Sequence, residues 1–177
     1  PSAERDSFED FLSWSPALLK DFNEIDSYLV DSKELFNSLI SYEELESWNK
    51  DKSSKNKFKS KFWKRLPVYY IELKKTLLES EAGSVGMLYR EAVDALNIYI
   101  ESSDKHHFFI GFNALNKSEN IIFQEFLESG KATILWDLDI YFFEDKNHSS
   151  SNFIRSYLSN WKYYRNNKNY LFSDNYR

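Results

Sequence analysis

Between His106 and Asp139 the chain passes from a strand-length apolar run, through a helix, to a second strand-length run. That order constrains the fold more than any other feature. The first run, HHFFIGFN, is enclosed by polar residues. Asn116, with Glu119 three residues on, marks a helix start, and Ile122, Phe123, Phe126 and Leu127 supply its buried face. Gly130 stands where a helix C′ glycine belongs. ATILWDLD then supplies the second run. Strands joined through a helix over about 35 residues lie parallel with a right-handed crossover. A parallel pair needs cover on both faces and both edges. The rest of the chain, or strands outside it, has to provide that cover.

The preceding sequence reads as helices. Phe8, Phe11, Leu12, Leu18, Leu19, Phe22, Ile25 and Leu29 recur at helical steps, and Pro16 predicts a break or a new first turn near Ser15. Asp31 or Ser32 caps a short helix carrying Leu35, Phe36, Leu39 and Ile40, and Ser41 with Glu44 starts another short turn. NKDKSSKNKFKSKFWKR, residues 49 to 65, opens as an exposed linker. Helical spacing resumes at Phe58 and continues through Phe62, Leu66, Tyr69, Tyr70, Leu73 and Leu77, with Pro67 as a kink or restart. AGSVG punctuates the chain, and Val85, Leu88, Tyr89, Ala92, Leu96 and Tyr99 form a further amphipathic helix. Phe153, Ile154, Tyr157, Leu158 and Trp161 form the last. The expected fold is mainly α with a small α/β part. A helical subdomain spans residues 1–103, and a βαβ unit plus C-terminal helix spans residues 104–177. The 42% hydrophobic and 29% charged fractions fit a soluble globular chain.

Several chemistries can be set aside or narrowed. The absence of cysteine excludes disulfides, thiolate catalysis and sulfur-ligated zinc, and fits a reducing compartment, so the cytoplasm is the expected location. No apolar run approaches the roughly 20 residues of a membrane-spanning helix, and no signal-peptide pattern is visible. The chain opens Pro1-Ser2-Ala3 without an initiator methionine, as expected of a processed product or a piece of a longer protein. Its only glycines are Gly83, Gly86, Gly111 and Gly130, so a P-loop is absent. His106 and His107, adjacent on a strand, face opposite sides and make poor joint ligands. Neither metal nor cofactor is expected.

Two sets of residues retain candidate chemistry. Asp137 and Asp139, two apart on a strand, would point to one side and could share a hard cation, as in haloacid-dehalogenase-type phosphatases. Ile140-Tyr141 departs from that pattern, which continues with a small residue and a threonine. Glu144-Asp145-Lys146 has the form of half a nuclease site but lies in one short stretch before NHSSS. The second set is basic: Lys50, Lys52, Lys55, Lys57, Lys59, Lys61, Lys64 and Arg65, interleaved with Phe58, Phe62 and Trp63. Such density suits phosphates. The same spacing also describes a solvated helix start whose rings face a core. WKYYRNNKNY is a second basic-aromatic stretch. The net charge of −5 argues against a uniformly basic nucleic-acid coat.

Three ordered blocks carry a resemblance: FEDFLSWSPALLKDFNEIDSYLVDSKELF, GMLYREAV and FIGFNALNKSENIIFQEFLESGKATILWDLDIYFF. Together they resemble the N-terminal region of AddB-like (RexB-like) proteins of the Bacteroidetes type, over most of residues 7 to 161. The resemblance implies a large subunit of a helicase–nuclease that processes broken DNA ends. Such subunits join a superfamily-1-type helicase fold without motor motifs to a nuclease domain of the PD-(D/E)XK class, here beyond residue 177. In an active relative the first strand would end in the Asp-Glu pair that holds magnesium. The matching place is Gly111-Phe112-Asn113-Ala114-Leu115, without a carboxylate. The second strand would lead to a Gly-Asp and a sensor glutamine, where this chain has Trp136-Asp137-Leu138-Asp139-Ile140-Tyr141. The implied protein is an ATPase-derived scaffold on a partial, degenerate RecA-like domain, without ATPase activity. DNA and an AddA-like subunit are its implied partners, and no membrane. A small metal-dependent phosphoesterase using Asp137 and Asp139, or a protein-interaction module, are the alternatives from the residues themselves.

Overall fold

A computed structural model describes residues 7–49 and 54–166, with side chains for residues 7–45 and 62–166. The fold is mainly helical with one small parallel sheet. It divides into two compact units, Pro1–Arg90 and Glu91–Arg177.

In the first unit, α1 (Phe8–Ser27) starts at Ser7, whose hydroxyl oxygen accepts from the Asp10 N–H at 3.1 Å. Pro16 does not break it. The carbonyl that loses its donor belongs to Leu12, which is exposed, as is Pro16, so water can take the place of the missing bond. α2 (Ser32–Asn49) is capped by Asp31, whose Oδ1 accepts from the Glu34 N–H at 3.0 Å. The capping pattern at Ser41 is overridden, because α2 runs on without interruption. α3 (Ser54–Glu79) begins inside the stretch expected to be a linker and passes through Pro67. Phe62 and Leu66 before that proline, and Tyr70 and Leu73 after it, pack on one core, which outweighs the lost bond. Residues 50–53 lie outside the described structure.

That core is Phe22, Ile25, Phe36, Leu66 and Tyr70. The rings of Phe22, Phe36 and Tyr70 meet edge to face at centroid distances of 5.2 to 6.2 Å. Beside it Asp26 is buried at 2% exposure. Its Oδ1 accepts from the Tyr70 hydroxyl at 2.6 Å, the Lys74 ammonium at 3.1 Å and the Arg90 Nε at 2.7 Å. Burial first, then the hydrogen bond and charge of Asp26, pushes the Tyr70 hydroxyl well above the usual phenol range. α1 ends in a Schellman motif with Leu29 at φ +54°, where the Val30 N–H reaches the Ile25 carbonyl at 2.9 Å. Arg90 Nη2 donates to the Ile25 and Val30 carbonyls at 3.0 and 2.9 Å, placing positive charge at the helix's negative end. Arg90 belongs to α4 (Val85–Asp94), which meets α1 at Gly86. The Gly86 N–H donates to Asn23 Oδ1 at 2.7 Å, and a Cβ on Gly86 would lie 2.1 Å from the Asn23 carbonyl oxygen, so only glycine fits.

The single helix expected over Val85 to Tyr99 is two, parted at Ala95. α5 (Leu96–Ser102) packs through buried Leu96 on Phe126 and Ala132, within the second unit. There β1 (His107–Ile110), α6 (Lys117–Glu128) and β2 (Ala132–Leu135) form the βαβ unit, with His107 opposite Ala132 and Ile110 opposite Leu135 in parallel register. α6 has the full capping box between Asn116 and Glu119, with bonds of 2.8 and 2.9 Å. It ends in a Schellman motif at Gly130, φ +71°. α7 (Ile140–Glu144), a 3-10 turn (Ser149–Ser151), α8 (Asn152–Asn160) and α9 (Lys162–Asn166) follow. Phe109 of β1 stacks on Phe123 at 4.1 Å, and Tyr157, Trp161 and Tyr164 complete that core. The opposite face of the sheet carries Phe108, Ile110 and Leu135, exposed at 63%, 62% and 43%.

Candidate functional site at the strand carboxyl ends

The loops that leave the two parallel strands meet in a cleft. After β1 the chain turns at Gly111, φ +77°, and Phe112 packs edge-on against Phe123 of α6 at 4.8 Å. After β2, Trp136 is held by its Nε1–H, which donates to the Tyr164 hydroxyl at 2.9 Å, and by stacking on Tyr157 at 5.7 Å. These anchors bring Gly111, Phe112 and Asn113 to one wall and Asp137, Leu138 and Asp139 to the other. Phe142, Ser150, Ser151 and Ile154 close a cleft of about 290 Å³. The carboxyl ends of parallel strands are where open α/β sheets bind their ligands.

Asp137 and Asp139 share this cleft, but not through strand alternation. β2 ends at Leu135, so both lie in the following loop. Asp139 caps α7: its Oδ1 accepts from the Tyr141 N–H at 2.8 Å and its carbonyl from the Phe143 N–H at 2.9 Å. Asp137 is exposed. The lining holds two carboxylates and no cationic side chain among the described residues. The nearby guanidinium of Arg155 is directed to the carbonyls of Phe142, Phe143, Asp145 and His148, at 2.6 to 3.3 Å, and so knits the α7–α8 connection. The cleft is therefore electronegative, opposite in sign to a phosphate cradle.

The other candidate residues are dispersed. His106 Nε2 meets Thr133 Oγ1 at 2.9 Å, His107 Nε2 meets the Tyr99 hydroxyl at 3.1 Å, and His148 Nδ1 meets Ser150 Oγ at 2.8 Å. Among the described residues no three His, Asp or Glu side chains gather as a metal site. Glu144 ends α7 and Asp145 accepts from the Asn147 N–H at 2.9 Å, so the Glu144–Lys146 stretch is a helix end and turn and not part of a strand pair. Of the basic stretch, Lys50 and Lys52 lie outside the described residues. Lys55, Lys57, Lys59 and Lys61 fall in the first turns of α3, with side chains outside the described set. Lys64 pairs with Glu44 at 2.9 Å and Arg65 is exposed, while Phe62 and Trp63 turn to the core. In the second basic-aromatic stretch Trp161 and Tyr164 are buried, and Lys162 pairs with Glu128 at 2.6 Å.

Sequence reasoning missed the Asp26 cluster and the Arg155 clamp. An acid one helical turn after Phe22, inside an apolar stripe, was the available signal for the first. The second had none, because its partners are backbone carbonyls and the nearby amide oxygen of Asn152. No helix is long and apolar enough to cross a membrane among the described residues. No family model, curated protein or solved structure matches the chain.

Proposed function

We propose that this chain is a non-catalytic, DNA-contacting scaffold from an AddB-like subunit of a helicase–nuclease that repairs double-strand breaks. One observation supports the reading: Gly111–Asn113 and Asp137–Asp139 line one cleft at the carboxyl ends of two parallel strands. On the resemblance, these are the two loops that would hold magnesium and sense the γ-phosphate. The first carries no carboxylate, and Asp139 of the second caps a helix. Phosphoryl transfer depends on cationic stabilisation of the phosphates, and the lining brings no cationic side chain to them. DNA contact then falls to the Lys50–Arg65 stretch, and an AddA-like subunit is the partner through the parent protein.

Fluorescence anisotropy with labelled DNA tests the contact, and a labelled ATP analogue with magnesium tests the cleft. Binding to single- or double-stranded DNA should weaken at least about tenfold between roughly 50 and 200 mM salt. It should fall with Lys55, Lys57, Lys59 and Lys61 changed to Glu, and ATP should neither bind nor turn over. An undetectable or salt-insensitive DNA affinity removes the contact, and ATP hydrolysis removes the non-catalytic assignment. A second reading, a metal-dependent phosphoesterase, is favoured by the common cleft of Asp137 and Asp139. Manganese- or magnesium-dependent turnover that is lost in Asp137→Ala would replace the first reading with this one.

A further inference from the structure

α4 makes polar contacts to α1. Of its residues only Gly86 and Met87 are buried, while Val85 and Leu88 are exposed at 61% and 62%. The buried core of the first unit, Phe22, Ile25, Phe36, Leu66 and Tyr70, includes no residue of α4. The Gly86 N–H on Asn23 and the guanidinium of Arg90 on Asp26, Ile25 and Val30 join α4 to α1. We infer that the Arg90–Asp26 contact is a lock, and that α4 is a strap that can leave α1 while α1, α2 and α3 stay folded.

Opening the lock strands no charge. Asp26 keeps the Tyr70 hydroxyl and the Lys74 ammonium as donors when Arg90 departs. The Ile25 carbonyl keeps the Val30 N–H. The side chain of Arg90 is already 26% exposed and passes into water. A pair whose buried partner stays satisfied separates far more readily than one that leaves a bare carboxylate behind. Met87 is the one buried apolar side chain of α4, so apolar burial gives the strap little hold. α4 is also the helix in which the first unit gives way to the second, after Arg90. The strap is therefore the covalent connection between them, and it behaves this way whatever the cleft binds.

Hydrogen–deuterium exchange on the full chain tests this. In Arg90→Gln the amides of α4 should exchange about a hundredfold faster, while those of α1 and α3 keep their protection. Gly86→Ala, which unseats the strap by contact with the Asn23 carbonyl and leaves every charge in place, should give the same pattern. Unchanged protection of α4 in Arg90→Gln would overturn the lock. Joint loss of protection in α1, α3 and α4, or failure of both variants to fold, would overturn the strap as a separable element.

Discussion

Asp26 offers one oxygen to three donors at 2% exposure, so truncating it takes away the carboxylate with which Lys74 and Arg90 pair. Asp26→Ala should lower the unfolding free energy by about 3 kcal/mol, near the bottom of the range for broken buried pairs, since both cations keep a quarter of their side chains in water. Urea denaturation measures this. Tyr70 adds a pH dependence at the alkaline end. Its folded-state pKa lies above that of the unfolded chain, so its contribution is whole below about pH 10 and declines as pH rises further. Tyr70→Phe should remove that component, leaving a shallower loss of stability between roughly pH 10 and 12 than in the parent. At this scale the sequence made Phe22, Ile25 and Tyr70 legible as core but not the acid among them. A buried charge becomes visible only when its distant partners are known, and Lys74 and Arg90 lie 48 and 64 residues away. For Asp137 and Asp139 the neighbourhood was legible and the reason was not. A loop anchored by Trp136 brings them together, and strand alternation does not.

Elements set by local chemistry were read most accurately. The start of α6 at Asn116 and its end at Gly130 follow from side chains within a turn of each terminus. Pro16 was misread, because whether a helix survives a lost bond depends on exposure and packing that short windows do not contain. The termini also suggest an improvement. α3 ends with Glu81 at φ +51°, exposed, with the Ala82 N–H bonded to the Leu77 carbonyl at 2.8 Å. That is a C′ position where a side chain is strained, so Glu81→Gly should raise stability by about 1 kcal/mol. The check is a shift of the urea midpoint to higher concentration at unchanged slope. Leu29 occupies the same conformation in α1 but is half-buried, so glycine there would trade relief of strain for lost contact.

At the scale of the molecule, the mainly helical class and the parallel βαβ unit were legible from pattern alone, because a helical crossover admits one arrangement. Leu96 reaching Phe126 and Ala132 far along the chain is a contact that no local pattern announces. The open face of the sheet is a whole-molecule property as well. Ile110→Lys, at an exposed position, should change stability by no more than about 0.5 kcal/mol while reducing self-association and binding of an apolar dye. Light scattering and dye fluorescence at matched concentrations would show it. The crowding of three donors on Asp26 carries a consequence for descent. Loss of Asp26 removes one acceptor shared by Tyr70, Lys74 and Arg90, so the cost of a second change among the four depends on whether the first has occurred. Lineages that abandon the acid would then be freed first at Lys74, while the aromatic core still holds the Tyr70 ring and the Ile25 and Val30 carbonyls still hold Arg90.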